Sequence, residues 1–261
     1  AKDHRLRVHF PIGIRADHVL SDGHFLVNRR PIDRPDDESW VQPSPRTYPQ
    51  QAFSALEDGR GGVAVFNRGL PEFEPVRDDQ GNVGLSLTLL RCVGWLSRDD
   101  FPTRRDQNAG PTVPTPDAQC LGNHEFEYAV MAYSGGWMAA GVKQASQSWH
   151  TPPLCVQGVE DSLTPGGAGL VQLNSTSAAI TAIKKHEARD TLIVRLFNLA
   201  ASTERASLRL GRKVRTAWQT DLLEEREVQL ALAGANSVPI ELPAHRIATI
   251  EIEFEPEAVN R

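Results

Sequence analysis

The chain of 261 residues has only three cysteines, and none stands in a CxxC spacing. Cys92, Cys120 and Cys155 therefore read as buried or half-buried reduced thiols, because an odd, scattered set supports neither a disulfide framework nor a zinc site. Long apolar runs are missing as well. No stretch approaches the roughly 20 residues that span a bilayer, and the first residues, AKDHR, lead straight into a strand-like pattern without an apolar secretory segment. A basic excess is absent too. The net charge is −5, and Arg29-Arg30, Arg104-Arg105 and Lys184-Lys185 are only pairs. Without a basic face to neutralise phosphates, no nucleic-acid partner is expected. A cytoplasmic chain with no membrane partner is the expectation, and on it the sequon Asn174-Ser175-Thr176 is accidental.

The familiar catalytic signatures are also missing. His124-Glu125 begins an HExxH pattern, but Tyr128 stands where the second histidine belongs. GxSxG, GxGxxG and the phosphate-cradling GxxxxGK[ST] do not occur. No catalytic residue and no metal ligand is therefore assigned within the chain. His9 and Phe10 lie on opposite faces of one predicted strand, which makes His9 a surface histidine.

What is present is a period of two. Residues 6–10 (LRVHF), 126–130 (FEYAV) and 247–254 (IATIEIEF) alternate, and the last run predicts Ile250, Ile252 and Phe254 inward with Thr249, Glu251 and Glu253 outward. Residues 191–197 (TLIVRLF) are nearly all apolar, as in a strand covered on both faces. Further strands are predicted at 24–27, 52–57, 63–67, 85–93, 171–173, 180–184, 206–210, 214–218, 228–232 and 238–242, broken by Gly, Pro, Asp and Asn. The fold class is all-β, an antiparallel sandwich. One short amphipathic helix is predicted over 137–149 (WMAAGVKQASQSW), with Met138, Val142, Ala145 and Trp149 on one stripe, ending before His150-Thr151-Pro152-Pro153. Residues 102–119 form a long proline-bearing loop, and 151–169 separate two β units.

One stretch concentrates polar chemistry at strand ends. Asn67-Arg68-Gly69-Leu70-Pro71-Glu72 follows an apolar strand, and Gly94-Trp95-Leu96-Ser97-Arg98-Asp99-Asp100 follows the next long one. A strand end carries polar side chains to close a turn or to meet a ligand. Glu72 and Glu74 share a strand face, so they cannot flank both sides of one scissile bond. Asn67, Arg68, Glu72, Arg98, Asp99 and Arg105 read either as a buried ion-pair cluster or as one wall of a binding cleft.

Six segments in this order carry a resemblance: RLRVHFPIGI at 5–14, VAVFNRGLPEFE at 63–74, LSLTLLRCVGWLSRDD at 85–100, Gly110-Pro111, TPDAQCLG with HEFEYAV at 115–130, and LIVRLFN at 192–198. Together they resemble the C-terminal β-region of bacterial glycoside hydrolase family 38 α-mannosidases. The resemblance implies a β-supersandwich over 1–155, incomplete on its N-terminal side, a linker at 156–169 and a smaller C-terminal β unit over 170–261. Family members are zinc-dependent retaining enzymes whose metal ligands and aspartate nucleophile lie in an N-terminal barrel. No residue here matches those motifs, so zinc is expected in that catalytic domain and the fragment alone is expected to be inactive. The implied partners are the chain's own catalytic domain and a mannose-containing glycan, with a homo-oligomer left open. Asn67, Arg68, Glu72, Arg98, Asp99 and Arg105 would line or buttress the mannose pocket. If strands are missing, an unpaired sheet edge or an apolar patch is expected. The alternative is an autonomous carbohydrate-binding module that stacks sugars on Trp40, Trp95 or Trp137.

Overall fold

The computed structural model describes residues 2–100, 104, 109–155, 157 and 169–256, and divides into two compact units at Val142/Lys143. The predicted linker at 156–169 lies almost wholly outside the described residues, as does Arg105.

The first unit contains β1 (Arg5–Ile14), β2 (His18–Gly23), β3 (Leu26–Pro31), β4 (Tyr48–Pro49), β5 (Phe53–Glu57), β6 (Gly61–Asn67), β7 (Glu72–Arg77), β8 (Val83–Arg91) and β9 (Tyr128–Ser134). They form two antiparallel sheets, ordered β1-β8-β7-β4 and β3-β2-β5-β6-β9. Alternation decides which faces meet. Val83, Leu85 and Leu87 of β8 and Phe73 of β7 pack against Val19, Leu56 and Val65 from the other sheet. The intervening Ser86 and Thr88 turn outward with Arg7, His9 and Glu74, which are their cross-strand neighbours or lie beside them. His9 is exposed and sits 2.9 Å from Ser86 Oγ, as its place on the strand predicts.

The second unit holds α1 (Val142–His150, whose first residue marks the boundary), β10 (Val171–Asn174), β11 (Ala178–Lys185), β12 (Leu192–Asn198), β13 (Glu204–Leu210), β14 (Val214–Thr220), β15 (Arg226–Leu230), β16 (Ser237–Leu242) and β17 (Ile247–Phe254). Its antiparallel sheets run β10-β13-β16 and β11-β12-β17-β14-β15. Leu208, Leu210, Val238 and Leu242 from one meet Val194, Leu196, Ala217, Ile250 and Ile252 from the other. This is the predicted all-β sandwich architecture, with one short helix. Gln144 Nε2 donates to the carbonyls of Thr176 (3.2 Å) and Ala178 (3.4 Å), and Gln147 Nε2 to that of Ile180 (3.1 Å). Among the described residues no helix is long and apolar enough to cross a membrane.

Three expectations need correction. The helix begins at Val142, five residues later than its apolar stripe suggests. Gly141 has φ +69°, a left-handed residue that ends the separate turn at 137–141. Of the strand predicted at 24–27, Leu26 and Val27 do open β3, but His24 and Phe25 are the two-residue turn of the β2–β3 hairpin, with Gly23 paired to Leu26 and Phe25 at φ +59°. Finally, Thr249 and Glu251 are not outward: both are fully buried, Thr249 beneath Arg195 of β12 and Glu251 beneath Arg189, Thr191 and Arg226.

Candidate functional site

The polar turn after β6 is built by Asn67. Its backbone N–H donates to Ala52 O (3.0 Å), its Nδ2 donates to Gln51 O (3.1 Å), and its Oδ1 accepts from Leu70 N (2.8 Å). A short side chain that satisfies backbone groups on both flanks is what a buried turn requires, and Asn67 is fully buried. Arg68 instead points outward. Its N–H donates to Glu127 O (3.1 Å) and its guanidinium pairs with the Glu127 carboxylate.

Glu72 and Glu74 do share the outer face of β7. Glu72 accepts from Thr88 Oγ1 (2.8 Å) and from Arg5 (3.4 Å), and lies 3.6 Å from Arg91. Glu74 accepts from Arg5 (3.4 Å) and pairs with Arg7. Three adjacent strands thus carry a small lattice of two carboxylates and three guanidinium groups. Partly exposed pairs of this kind are worth well under about 1 kcal/mol each, but as a network they fix register between β1, β8 and β7.

Arg98 and Asp99 lie on the segment after β8. That excursion is closed at its base by Val93 N to Ala118 O (3.0 Å), Thr115 N to Gly94 O (2.8 Å) and Leu96 N to Val113 O (2.9 Å). Arg98 Nε donates to Asp100 Oδ1 (2.7 Å), and this bond holds the Asp100 carboxyl below the usual carboxylate range. Asp99 is exposed, and Arg105 lies outside the described residues. Four of the six predicted residues are therefore tied to partners of their own: Asn67 to its turn, Arg68 to Glu127, Glu72 to the β1/β8 arginines, and Arg98 to Asp100. Of the three tryptophans considered for stacking, Trp40 and Trp95 are 45% and 42% exposed, while Trp137 is half-buried.

The second unit contains a carboxylate that the sequence reading sent to solvent. Glu251 receives Arg189 Nε (2.9 Å) and Nη2 (3.1 Å), Arg226 Nε (3.0 Å) and Nη2 (2.9 Å), and Thr191 Oγ1 (2.8 Å). Burial pushes its pKa up, but the bonds from Arg226, Arg189 and Thr191 outweigh burial and bring it down to about 2. A carboxylate saturated by two guanidinium forks is an anchor rather than an acid or base. No periodicity could have found it, since Arg189 and Arg226 come from loops and strand ends far along the chain.

Metal chemistry has little to stand on here. Among the described residues no three His, Cys, Asp or Glu side chains gather as a metal site, so no chemical step is derived through a metal here. The cysteines are free: Cys92 is buried, where burial pushes its thiol pKa up, and Cys120 is half-buried. Cys155 departs from expectation in being exposed, because it follows the Pro152-Pro153 pair outside any strand.

Comparison with known proteins gives the arrangement a family. Residues 177–250 match the model of the glycosyl hydrolases family 38 C-terminal beta sandwich domain. A Halalkalibacterium halodurans protein named as a mannosylglycerate hydrolase is 28% identical over 97% of this chain and 26% of its own length. The human protein named alpha-mannosidase 2C1 is 31% identical over 84% of this chain and 19% of its own length. The crystal structure of an alpha-mannosidase from Enterococcus faecalis superposes with a TM-score of 0.73 at 27% identity, covering 97% of this chain and 26% of that one. The chain thus spans about a quarter or less of the relatives it matches. Residues 177–250 belong to the family 38 C-terminal beta sandwich domain, and along nearly its full length the chain is similar in sequence and fold to a C-terminal β-region of that family's alpha-mannosidases.

Proposed function

We propose that this chain is the non-catalytic β-region of a larger glycosidase that hydrolyses terminal α-D-mannosides, and that it shapes the sugar pocket without reacting with the sugar. The observation that carries this reading is the span of the match, in which 97% of this chain aligns with about a quarter of mannosidase-type proteins. Its own carboxylates support a supporting role. Retaining hydrolysis needs two carboxyl groups on opposite sides of the scissile bond, roughly 5–5.5 Å apart. Glu72 and Glu74 project from one face of one strand and are engaged by arginines, and Glu251 is buried and saturated. On this reading the nucleophile, the general acid and the family's zinc belong to the remaining polypeptide.

The groups proposed to meet that polypeptide or its glycan are the half-exposed ones at the two strand ends. The Arg68 and Arg98 side chains are 37% and 40% exposed, and each pairs with a partly exposed carboxylate, Glu127 and Asp100. Surface pairs of this kind are worth little, so on this reading either guanidinium serves sugar hydroxyls or loops of the catalytic domain, and Asp99 and Arg105 are proposed to act with them. In the full-length protein, Arg68→Ala and Arg98→Ala should raise KM or lower kcat for an aryl α-mannoside about tenfold, with little change in thermal stability. Unchanged kinetics in both variants would overturn the pocket-shaping role. The 261-residue chain alone should not turn over the same substrate with or without added zinc; turnover would overturn the non-catalytic assignment.

A further inference from the structure

The polar turn after β6 does more than close a strand end. It holds Gln50 and Gln51, the segment between β4 and β5, in place. Gln50 N donates to Pro71 O (2.9 Å), Gln50 Nε2 to Leu70 O (3.0 Å), and Asn67 Nδ2 to Gln51 O (3.1 Å). From the other side, Gln51 N donates to Asp22 O (3.0 Å) and Ala52 N to Asp22 Oδ2 (3.2 Å). The segment so fixed forms part of the wall of a cleft of about 330 Å³, lined also by Asp22, Leu26, Asn28 and Arg30. A single water takes up about 30 Å³ of liquid, so the space suits a small molecule.

Two atoms of this wall have no hydrogen-bond partner among the described residues. Gln50 is 6% exposed, and its Oε1 is buried and unpartnered. The bond from Nε2 to Leu70 O fixes the carboxamide, so exchanging its two ends would forfeit that bond. The Nε of Arg30 is likewise buried and unpartnered, while its guanidinium lies 5.1 Å from the centre of the Tyr48 ring. Folded proteins keep few such atoms. One of these needs a donor and the other an acceptor, and a hydroxyl group is both. Both atoms are buried, so binding calls for small side-chain torsions that bring them to the cleft while the Nε2 bond to Leu70 O is kept. The Asp22 carboxylate, 2% exposed, adds acceptor character that disfavours an anion, and Leu26 offers an apolar edge for the C–H face of a ring.

We propose that this cleft binds a small neutral polyhydroxylated molecule, one hydroxyl donating to Gln50 Oε1 and a neighbouring one accepting from Arg30 Nε. The inference rests on the cleft alone and stands whether or not the mannosidase reading holds. Its test is titration of the isotopically labelled 261-residue chain with methyl α-D-mannopyranoside and, separately, with glycerol, followed by amide chemical shifts. Saturable shifts centred on Asp22, Gln50 and Gln51 are expected with at least one probe. Gln50→Met and Arg30→Lys should each weaken binding roughly tenfold, the loss typical of one buried hydrogen bond. Gln50→Met also removes the bond to Leu70 O. If it fails to fold, Arg30→Lys, which leaves that bond intact, decides together with the shift map. No saturable binding of either probe, shifts centred elsewhere, or affinity unchanged in the folded variants would each overturn the proposal.

Discussion

Glu251 gives the sharpest quantitative test of how the second unit is held together. In the fold its carboxyl titrates at about 2, against an ordinary 4.5. At about 1.4 kcal/mol for each pH unit of that gap, the ionised form contributes about 3 kcal/mol. The Arg189 and Arg226 side chains are about a third exposed, and screening through them reduces this to about 2 kcal/mol. Because the folded pKa is depressed, the contribution is fully present above the unfolded value and is lost as pH falls toward 2. Glu251→Gln preserves shape and one acceptor oxygen but removes the charge. Urea unfolding followed by circular dichroism should therefore show the variant about 2 kcal/mol less stable at pH 7. By pH 3 the gap should narrow to less than half, since most unfolded Glu251 is then protonated. Both proteins share every other titrating group, so the difference isolates this one. A gap that is negligible at pH 7, or that stays constant down to pH 3, would refute the account of Glu251 as an ionised anchor.

Asn67→Ala should destabilise the first unit by roughly 2–4 kcal/mol, because it leaves Leu70 N and Gln51 O without their buried partner; an unchanged urea midpoint would show that the turn closes without it. A Cβ on Gly62 would lie 2.4 Å from Leu56 O and 2.5 Å from Tyr133 Cζ, so Gly62→Ala should cost about 1–3 kcal/mol by forcing β5, β6 and β9 apart, read as a lowered Tm. β9 ends its sheet, carries no charged residue and leaves Val130 55% exposed. Such an edge invites strand addition, so the chain should self-associate with rising concentration and Val130→Lys should suppress this in light scattering. A wild-type chain that stays monomeric at every concentration would refute it.

Which parts of this molecule could be read from its sequence follows from the range of each interaction. Alternation is local, and it marked β1, β9 and β17 and the sandwich class, because a two-residue period says that two faces of a strand differ. It does not say which face is wet. Glu251 and Glu253 alternate identically with their isoleucine and phenylalanine neighbours, yet only Glu251 is sealed, by Arg189 62 residues away and Arg226 25 residues away. The helix stripe over 137–149 was real in spacing, but backbone geometry at Gly141 cut it. The strand read at 24–27 overlooked the Asp22-Gly23 pair that precedes the turn.

The same limit governs the site. Asn67 through Glu72 was legible as unusual chemistry at a strand end, and the structure does give that turn a task. Its direct beneficiaries, Gln50 and Gln51, carry no motif, and Glu72 meets Arg5 from 67 residues upstream. A carboxylate on a strand can be a catalyst, an anchor or a solvated surface group, and its own neighbours in sequence are equally compatible with all three. What separates them is the set of donors that the topology brings across the sheet. In this chain arginines on neighbouring strands and loops take Glu72, Glu74 and Glu251. The remaining unsatisfied polar atoms of the first unit include Gln50 Oε1 and Arg30 Nε, so a search for ligand chemistry among the described residues leads to that wall rather than to the strand-end charges that first drew attention.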